Sequence, residues 1–357
     1  MIKPSRSIEK LEPYKITPQD VWSDEAPNDL LKIDWNEAPE LLSLYKSELK
    51  RIILKRGITE WYPDYLSLKL NDAISKYMGI NENNILTFPG SDVGLETLCR
   101  TYLNPEDEAL AITPTYENFF VYVKQIGSNL KEFRLEKPFK LDYKKLHRAI
   151  EISEKIKLIY IVNPNNPCGY ILSNNDIVDL ARQFPSKMFI VDEAYMEFSK
   201  TKSCALMLDN IVTFRTFSKG FGIAGLRLGY MCASSTIINN VNKIRNGKNV
   251  SMLAQYMGIY ALNNIDKVNK WFDEVIESRE YFCNWCKKNN ITYYESHGNF
   301  VLFEVKNPSK IDSKLKSLGI YIRNRDSIIK GCVRVTIGSR KNTKTLINAL
   351  EAMKGLL

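Results

Sequence analysis

The sequence predicts an α/β fold, with a three-layer large domain around a mostly parallel sheet and a smaller α+β domain after it. Short apolar runs alternate with helical stretches in the middle of the chain, a long helix pair follows from about residue 250, and two strand-like runs lie near the end. The chain has 357 residues, 44% of them hydrophobic, which is enough for two packed domains. The apolar runs are 109–112, 158–162, 188–191, 211–214 and 228–233, and the later ones are 300–303 and 333–336.

Each part of the chain has its own pattern. Residues 1–32 are polar and interrupted by prolines, which predicts an N-terminal arm that packs with the small domain. Apolar residues then recur with helical spacing over 41–56 and 67–78. Gly90, Ser91 and Asp92 begin a further helix over 93–103, with Ser91 or Asp92 as its N-cap. We therefore expect a large domain over 33–248 and a small domain over 249–357.

Composition excludes several classes of protein. No apolar run is long enough to cross a bilayer, and the seven cysteines are odd in number and scattered, so a cytoplasmic protein without a disulfide framework is expected. Two histidines make a histidine-based metal site improbable, and we expect no metal. The net charge of +9 is compatible with a nucleic-acid-binding protein. However, no acidic residue occurs over 210–265, where basic residues cluster, which favours small phosphorylated anions over nucleic acid or membrane.

The segment over 216–230 is the most informative. Lys219 follows two hydroxyl residues, Thr216 and Ser218, among glycines, and Arg227 comes eight positions later. This arrangement suits a lysine that holds a phosphorylated aldehyde while hydroxyls and an arginine bind its phosphate. The glycines over 220–225 also match the dinucleotide fingerprint, but the acidic residue needed about 20 positions later is missing, so that interpretation is rejected.

Other polar segments follow apolar runs directly. An Asn-Pro-rich segment over 163–169 comes after one run, and Asp192 to Tyr195 come after the next. Taken singly, such segments are most often plain turns or helix caps. In an open parallel sheet, however, ligands bind outside the carboxyl ends of the strands, so these segments are predicted to meet at one edge.

Together these segments resemble the class I/II, fold type I, pyridoxal-phosphate-dependent aminotransferases over about residues 11–340, nearest to the histidinol-phosphate aminotransferases. The resemblance implies that Lys219 carries pyridoxal 5'-phosphate as a Schiff base and moves the substrate proton. It implies that Asp192 pairs with the pyridine nitrogen, and that Asn166 and Tyr195 bond the phenolic oxygen. Lys219, Asp192 and Tyr195 are thus the expected catalytic residues.

The same resemblance assigns the remaining binding residues. The cofactor phosphate would be held by Ser91, Asp92, Thr216, Ser218 and Arg227. Tyr116 would stack on the pyridine ring, and Tyr62 would reach the cofactor of the partner subunit in a homodimer. Arg334 matches the residue that binds a substrate carboxylate, while Arg323 and Tyr14 match residues that contact a substrate phosphate.

The resemblance implies amino transfer between a phosphorylated or acidic amine and a 2-oxo acid such as 2-oxoglutarate. Lys248, within 247–251, stands where that branch usually has an aromatic residue, which argues against imidazole recognition while leaving phosphate recognition intact. Two alternatives stay open. The first is a threonine- or serine-phosphate decarboxylase of the same fold. The second is a non-catalytic protein that binds a cofactor or nucleic acid.

Overall fold

A computed structural model describes residues 2–9, 11–12, 20–22 and 30–357 of the chain. Its strands are β1 (Leu31–Lys32), β2 (Ile85–Phe88), β3 (Glu108–Thr113), β4 (Asn129–Arg134), β5 (Ile156–Val162), β6 (Met188–Asp192), β7 (Ile211–Thr216), β8 (Gly229–Cys232), β9 (Tyr293–Tyr294), β10 (Phe300–Glu304), β11 (Ile320–Tyr321), β12 (Arg323–Asn324) and β13 (Cys332–Thr336). Its α-helices are α1 (Arg6–Glu9), α2 (Leu42–Ile53), α3 (Leu68–Met78), α4 (Ser91–Tyr102), α5 (Asn118–Ile126), α6 (Tyr143–Glu151), α7 (Asn174–Gln183), α8 (Ser235–Asn242), α9 (Met252–Asn263), α10 (Ile265–Lys288), α11 (Pro308–Ser317) and α12 (Arg340–Glu351).

The central sheet has seven strands in the order β2-β8-β7-β6-β5-β3-β4. β8 pairs antiparallel with both β2 and β7, and the other pairs are parallel, so the predicted mostly parallel sheet is confirmed. Side chains alternate between the two faces along each strand. Leu158 and Tyr160 pack in one core with residues of α4 and α5, whereas Ile159 and Ile161 pack in another with residues of α6 and α7. The result is the predicted arrangement of helix, sheet and helix layers.

The helices predicted over 41–56, 67–78 and 93–103 correspond to α2, α3 and α4. The predicted cap of α4 is wrong. The N-cap is Gly90, with φ of 87° and no side-chain hydrogen bond, and Ser91 and Asp92 already lie in the first helical turn. The backbone N–H groups of this turn therefore point outward without a capping side chain.

A second sheet lies in the C-terminal part of the chain, with strand order β12-β13-β10-β9 and antiparallel pairing. The helix α10 packs against α12 beside it. The short strand β1 pairs in parallel with β11. The segment before α2 therefore contacts the C-terminal part of the chain. The helix α9 packs against α2 and α3, and α1 contacts α5. The domain limits at residues 32 and 248 remain a prediction. No helix in the described ranges is long and apolar enough to span a membrane.

Candidate active site

A cavity of about 470 Å³ opens at the carboxyl ends of the parallel strands. Val162, Asp192 and Thr216, the last residues of β5, β6 and β7, lie in its wall, and β12 and β13 bound it from the C-terminal part. The structure brings together most residues that the sequence singled out. Those that line the cavity are Ser91, Asp92, Tyr116, Asn166, Asp192, Tyr195, Thr216, Ser218, Lys219, Arg227, Arg323 and Arg334.

Lys219 follows β7 and extends into the cavity. Its Nζ donates a hydrogen bond to the carbonyl oxygen of Trp35 at 2.7 Å. Burial lowers the pKa of the Lys219 amine to about 8, and this lowering is opposed by the negative charge of Glu37 and reinforced by Arg334. A substantial fraction of the amine is therefore neutral near physiological pH, which is the form that acts as a nucleophile or base.

Asp192 is a carboxylate at the end of a buried strand and is only 3% exposed. Its Oδ2 accepts a hydrogen bond from the hydroxyl of Tyr160 at 2.8 Å, and its Oδ1 accepts one from the backbone N–H of Ala194 at 3.1 Å. Burial raises the pKa of Asp192 to about 6, although the bond from Tyr160 opposes this shift. Across the described residues no salt bridge to Asp192 is found, so a cation in the cavity would relieve the cost of this buried charge.

The hydroxyl oxygen of Tyr195 accepts two hydrogen bonds. One comes from Nδ2 of Asn166 at 3.0 Å and the other from Nδ2 of Asn36 at 3.1 Å. Phe300 packs edge-on against the ring, with 5.0 Å between centroids. Because both amides donate, the hydroxyl keeps its own proton for an acceptor in the cavity.

The start of α4, Ser218 and Arg227 bring several groups that can bind an anion into the cavity wall. Gly90 lies so close to Arg227 that an added Cβ would stand 2.5 Å from the guanidinium Nη2. The same Nη2 is 3.7 Å from a carboxylate oxygen of Asp92. Helix N–H groups, the hydroxyls of Ser91 and Ser218 and one guanidinium are the donor set that binds phosphate in proteins.

Arg334 lies in the middle of β13 and is 3% exposed. Its Nη1 donates to Oδ1 of Asn166 at 2.6 Å, its Nη2 donates to the carbonyl oxygen of Asp34, and its Nε is buried without a hydrogen-bond partner. Arg323 stands opposite Arg334 in the β12–β13 register. Burial and the neighbouring Arg325 lower the pKa of the Arg334 guanidinium to about 9. An anion bound next to Arg334 would stabilise the positive charge of its guanidinium.

One predicted site residue, Tyr62, is not part of this cavity wall. Tyr62 lies on the surface, 82% exposed, with Nζ of Lys248 4.9 Å from its ring centroid. Tyr14 lies outside the described residues. No cluster of metal-ligating side chains occurs in the ranges that the structure covers.

The structure also shows residues that the sequence analysis did not assign to the site. Trp35, Glu37 and Arg325 line the cavity, Tyr160 bonds Asp192, and Asn36 bonds Tyr195. Tyr160 is two residues before the end of β5, and its role follows only from the β5–β6 pairing. For Arg325 a signal was present, because it stands two positions after Arg323 in an extended segment.

Comparisons with known proteins agree on a family. The model of aminotransferase class I and II matches residues 31–350. A dihydroxyacetone phosphate transaminase of Campylobacter jejuni is 35% identical over 97% of this chain and 96% of its own length. A histidinol-phosphate aminotransferase of Clostridium novyi is 32% identical over 90% of this chain and 91% of its own.

Solved structures agree on the fold. The histidinol-phosphate aminotransferase of Sinorhizobium meliloti, in complex with pyridoxal-5'-phosphate, superposes with a TM-score of 0.87 at 23% identity, over 99% of this chain and 98% of that one. The L-threonine-O-3-phosphate decarboxylase of Porphyromonas gingivalis gives a TM-score of 0.75 at 18% identity, over 91% and 99% of the two chains.

Proposed function

The chain belongs to the aminotransferase class I and II family, and on this basis we propose that it transfers an amino group between a phosphorylated or acidic amine and a 2-oxo acid such as 2-oxoglutarate. The family depends on pyridoxal 5'-phosphate. The observation that carries the proposal is the single cavity in which Lys219, Asp192 and Arg334 meet. An amine with a lowered pKa, a buried carboxylate and a buried guanidinium are what such an exchange needs.

A phosphorylated compound is the substrate class that the relatives support best. Both relatives described above have a phosphorylated compound in their names, although only one of these compounds carries an imidazole. In this chain Lys248 stands where the histidinol-phosphate branch usually has an aromatic residue. The phosphate is therefore the shared feature on which we base the proposal.

The residues of the cavity fit the cofactor. Pyridoxal phosphate, when bound, supplies an electron sink for the carbanion formed at the substrate Cα. Asp192 would pair with the ring nitrogen, because its buried charge has no cationic partner within the described ranges. Asn166 and Tyr195 would bond the phenolic oxygen, and Tyr116 would stack on the ring. The phosphate would be held by Ser91, Asp92, Thr216, Ser218 and Arg227.

Lys219 would move a proton between the substrate Cα and the C4′ carbon of the cofactor. Since burial lowers the pKa of its amine to about 8, the amine can accept the proton at one carbon and release it at the other without a large free-energy difference. Arg334 would hold a substrate carboxylate in bidentate fashion, and Arg323, with Tyr14, would contact a substrate phosphate.

We also propose a homodimer in which Tyr62 reaches the partner subunit's site. The support is an exposed apolar surface around this residue, on which Trp61 is 58%, Tyr65 57% and Leu68 56% exposed. Exposed apolar side chains that lie this close in the chain are consistent with an interaction site. The seven cysteines are free, which supports a reducing compartment such as the cytoplasm.

The test is a single-turnover titration of the purified protein with its cofactor. Histidinol phosphate, serine phosphate, threonine phosphate and glutamate are added separately, and absorbance is followed. Conversion of the cofactor to pyridoxamine phosphate by a phosphorylated amine supports the proposal. Release of carbon dioxide without dependence on a 2-oxo acid would instead identify a decarboxylase. After borohydride reduction a pyridoxyl group should be found on the peptide that contains Lys219, and its absence there would contradict the proposal.

A further inference from the structure

Arg325 lies beside the two arginines proposed for substrate binding. It follows β12 directly, two positions after Arg323, and it lines the same cavity. Residues two positions apart in an extended segment point to the same side. Between them, Asn324 has its Nδ2 3.4 Å from the hydroxyl of Ser309, away from the cavity wall. The alternation therefore directs two guanidinium groups into one cavity.

The backbone holds Arg325 in place. Its N–H donates to the carbonyl oxygen of Cys332 at 3.0 Å, which continues the pairing with β13. Its own carbonyl oxygen accepts from the N–H groups of Ile328 and Ile329, at 2.9 and 2.8 Å. Arg325 thus begins the turn that joins β12 to β13, and its Cα cannot move independently of the strand that carries Arg334.

Basic side chains cluster on this wall, which Arg323, Arg325 and Arg334 line. Arg334 donates only to neutral oxygens, those of Asn166 and of the Asp34 backbone. The Asp34 carboxylate is 3.0 Å from Nζ of Lys32, and Glu37 bonds the same amine. Asp312, a partly buried carboxyl, interacts with Arg323. Among the described residues, three arginines and Lys32 thus lie with three carboxylates at this wall, and an anionic ligand would be favoured.

We propose that Arg325 determines specificity by binding, together with Arg323, the phosphate dianion of the substrate. This inference rests on the proposed function and adds to it the charge state that the site selects. A phosphate monoester carries a second negative charge above a pKa of about 6, and its three terminal oxygens can accept from two guanidinium groups. A carboxylate offers one charge and two oxygens. Arg325 therefore favours phosphate monoesters over dicarboxylates of similar size.

The test measures equilibrium binding of two unreactive ligands to the protein with its cofactor. Glycerol 3-phosphate is a phosphate monoester without an amine or a carbonyl, and glutarate is a dicarboxylate without either. Each is titrated by calorimetry at pH 7.5 and pH 5 into the wild type, Arg325→Gln and Arg325→Lys. Arg182→Gln is the matched control, because Arg182 is exposed and pairs with Asp179 on α7.

For Arg325→Gln we expect glycerol 3-phosphate to bind about tenfold to a hundredfold more weakly at pH 7.5, and glutarate to change by less than about threefold. The Lys variant, which keeps the charge, should fall between Gln and wild type. The affinity for glycerol 3-phosphate should fall less between pH 7.5 and pH 5 in the Gln variant than in the wild type. The reason is that the variant's binding depends less on the second negative charge of the phosphate.

Two results would overturn the inference. One is a Gln variant that binds both ligands as the wild type does, and the other is equal weakening of both ligands. A wild type that binds glycerol 3-phosphate no better than glutarate would overturn the phosphorylated substrate class itself. The comparison of wild type with variant thus separates failure of the inference from failure of the proposed function.

Discussion

Asp192 shows, at the scale of one residue, a conflict between folding and function. The carboxylate is buried at the end of β6 and is held by Tyr160 and by one backbone N–H. Because its pKa is raised to about 6 in the folded protein, the ionised form is less favourable there than in the unfolded chain. The ionisation of Asp192 therefore lowers the free energy of unfolding as pH rises from about 4 to 6, and above pH 6 its contribution stays constant.

Asp192→Asn should therefore stabilise the cofactor-free protein at pH 8 by about 1 to 2 kcal/mol, less than the full effect of two pKa units because the amide loses one acceptor. The gain should be much smaller at pH 4.5, where the wild-type carboxyl is mostly protonated. Denaturant unfolding at both pH values measures it. The same variant should bind pyridoxal phosphate at least about tenfold more weakly. Equal changes in stability at the two pH values would contradict this account.

At the scale of elements, the start of α4 depends on a residue without a side chain. Gly90 has φ of 87°, and an added Cβ would meet Nη2 of Arg227 at 2.5 Å. A side chain here would push the guanidinium away from the first turn of the helix, in addition to the backbone strain.

Gly90→Ala should lower stability by about 1 kcal/mol and weaken cofactor binding at least about tenfold. Gly79→Ala is the control, because Gly79 also has a positive φ, 68°, but among the described residues none except its chain neighbours comes within 4 Å of the added Cβ. The Gly79→Ala variant should lose a similar amount of stability, measured by thermal unfolding. Its affinity for the cofactor, measured by titration with pyridoxal phosphate, should stay unchanged. A similar loss of affinity in both variants would show that strain alone is responsible.

A buried ion network connects β7 with the segment that follows β6. Nη2 of Arg215 is 2.6 Å from Oε1 of Glu197, and its Nη1 is 3.7 Å from Oε2 of Glu193, the residue after Asp192. Glu193 also accepts from the hydroxyl of Ser203 and the N–H of Cys204. Removing the arginine would leave two carboxylates buried without their cation.

Arg215→Met should lower the free energy of unfolding by about 3 to 5 kcal/mol in urea. In contrast, Arg182→Met should lower it by less than about 1 kcal/mol, because that arginine is 64% exposed and its pair with Asp179 is solvated. If the two variants had equal effects, the buried network would not contribute as described.

The elements differ in how far the sequence predicts them. The buried strands β3, β5, β6 and β7 each contain one of the predicted apolar runs. The edge strand β4, with Lys131, Glu132 and Arg134, is partly exposed along its length and has no apolar run. Strand direction depends on neighbours distant in sequence, so antiparallel β8 could not be distinguished from its parallel neighbours. For the same reason the motifs indicated Asp192 but not Tyr160, which contacts it only across the β5–β6 pair.

At the scale of the whole molecule, the proposed homodimer makes each site depend on two chains. Tyr62 is 82% exposed and lies outside the cavity wall of its own chain, whereas Lys219 lies inside. Consider a mixed dimer in which one chain lacks Tyr62 and the other lacks Lys219. If Tyr62 serves the partner subunit, both defects fall in the same site, and the other site is intact.

Tyr62→Ala and Lys219→Ala should each be inactive or nearly so as pure dimers. After mixing, unfolding together and refolding, about a quarter of wild-type activity per site should return, since about half of the dimers are mixed and each has one intact site. Light scattering checks that the sample is dimeric. If a dimeric mixture recovers no activity, Tyr62 does not serve the site of the partner subunit.

The segment after β1 connects both sides of the cavity. The carbonyl oxygen of Ile33 accepts from the N–H of Thr336 on β13, and Asn36 contacts Thr336 while its amide donates to Tyr195. Asn166 bridges the same tyrosine to Arg334. A ligand that takes Arg334 away from Asn166 consequently alters a bond one step from the Tyr195 hydroxyl. A ligand bound at the C-terminal wall would thus change the surroundings of the Tyr195 hydroxyl through the amide of Asn166.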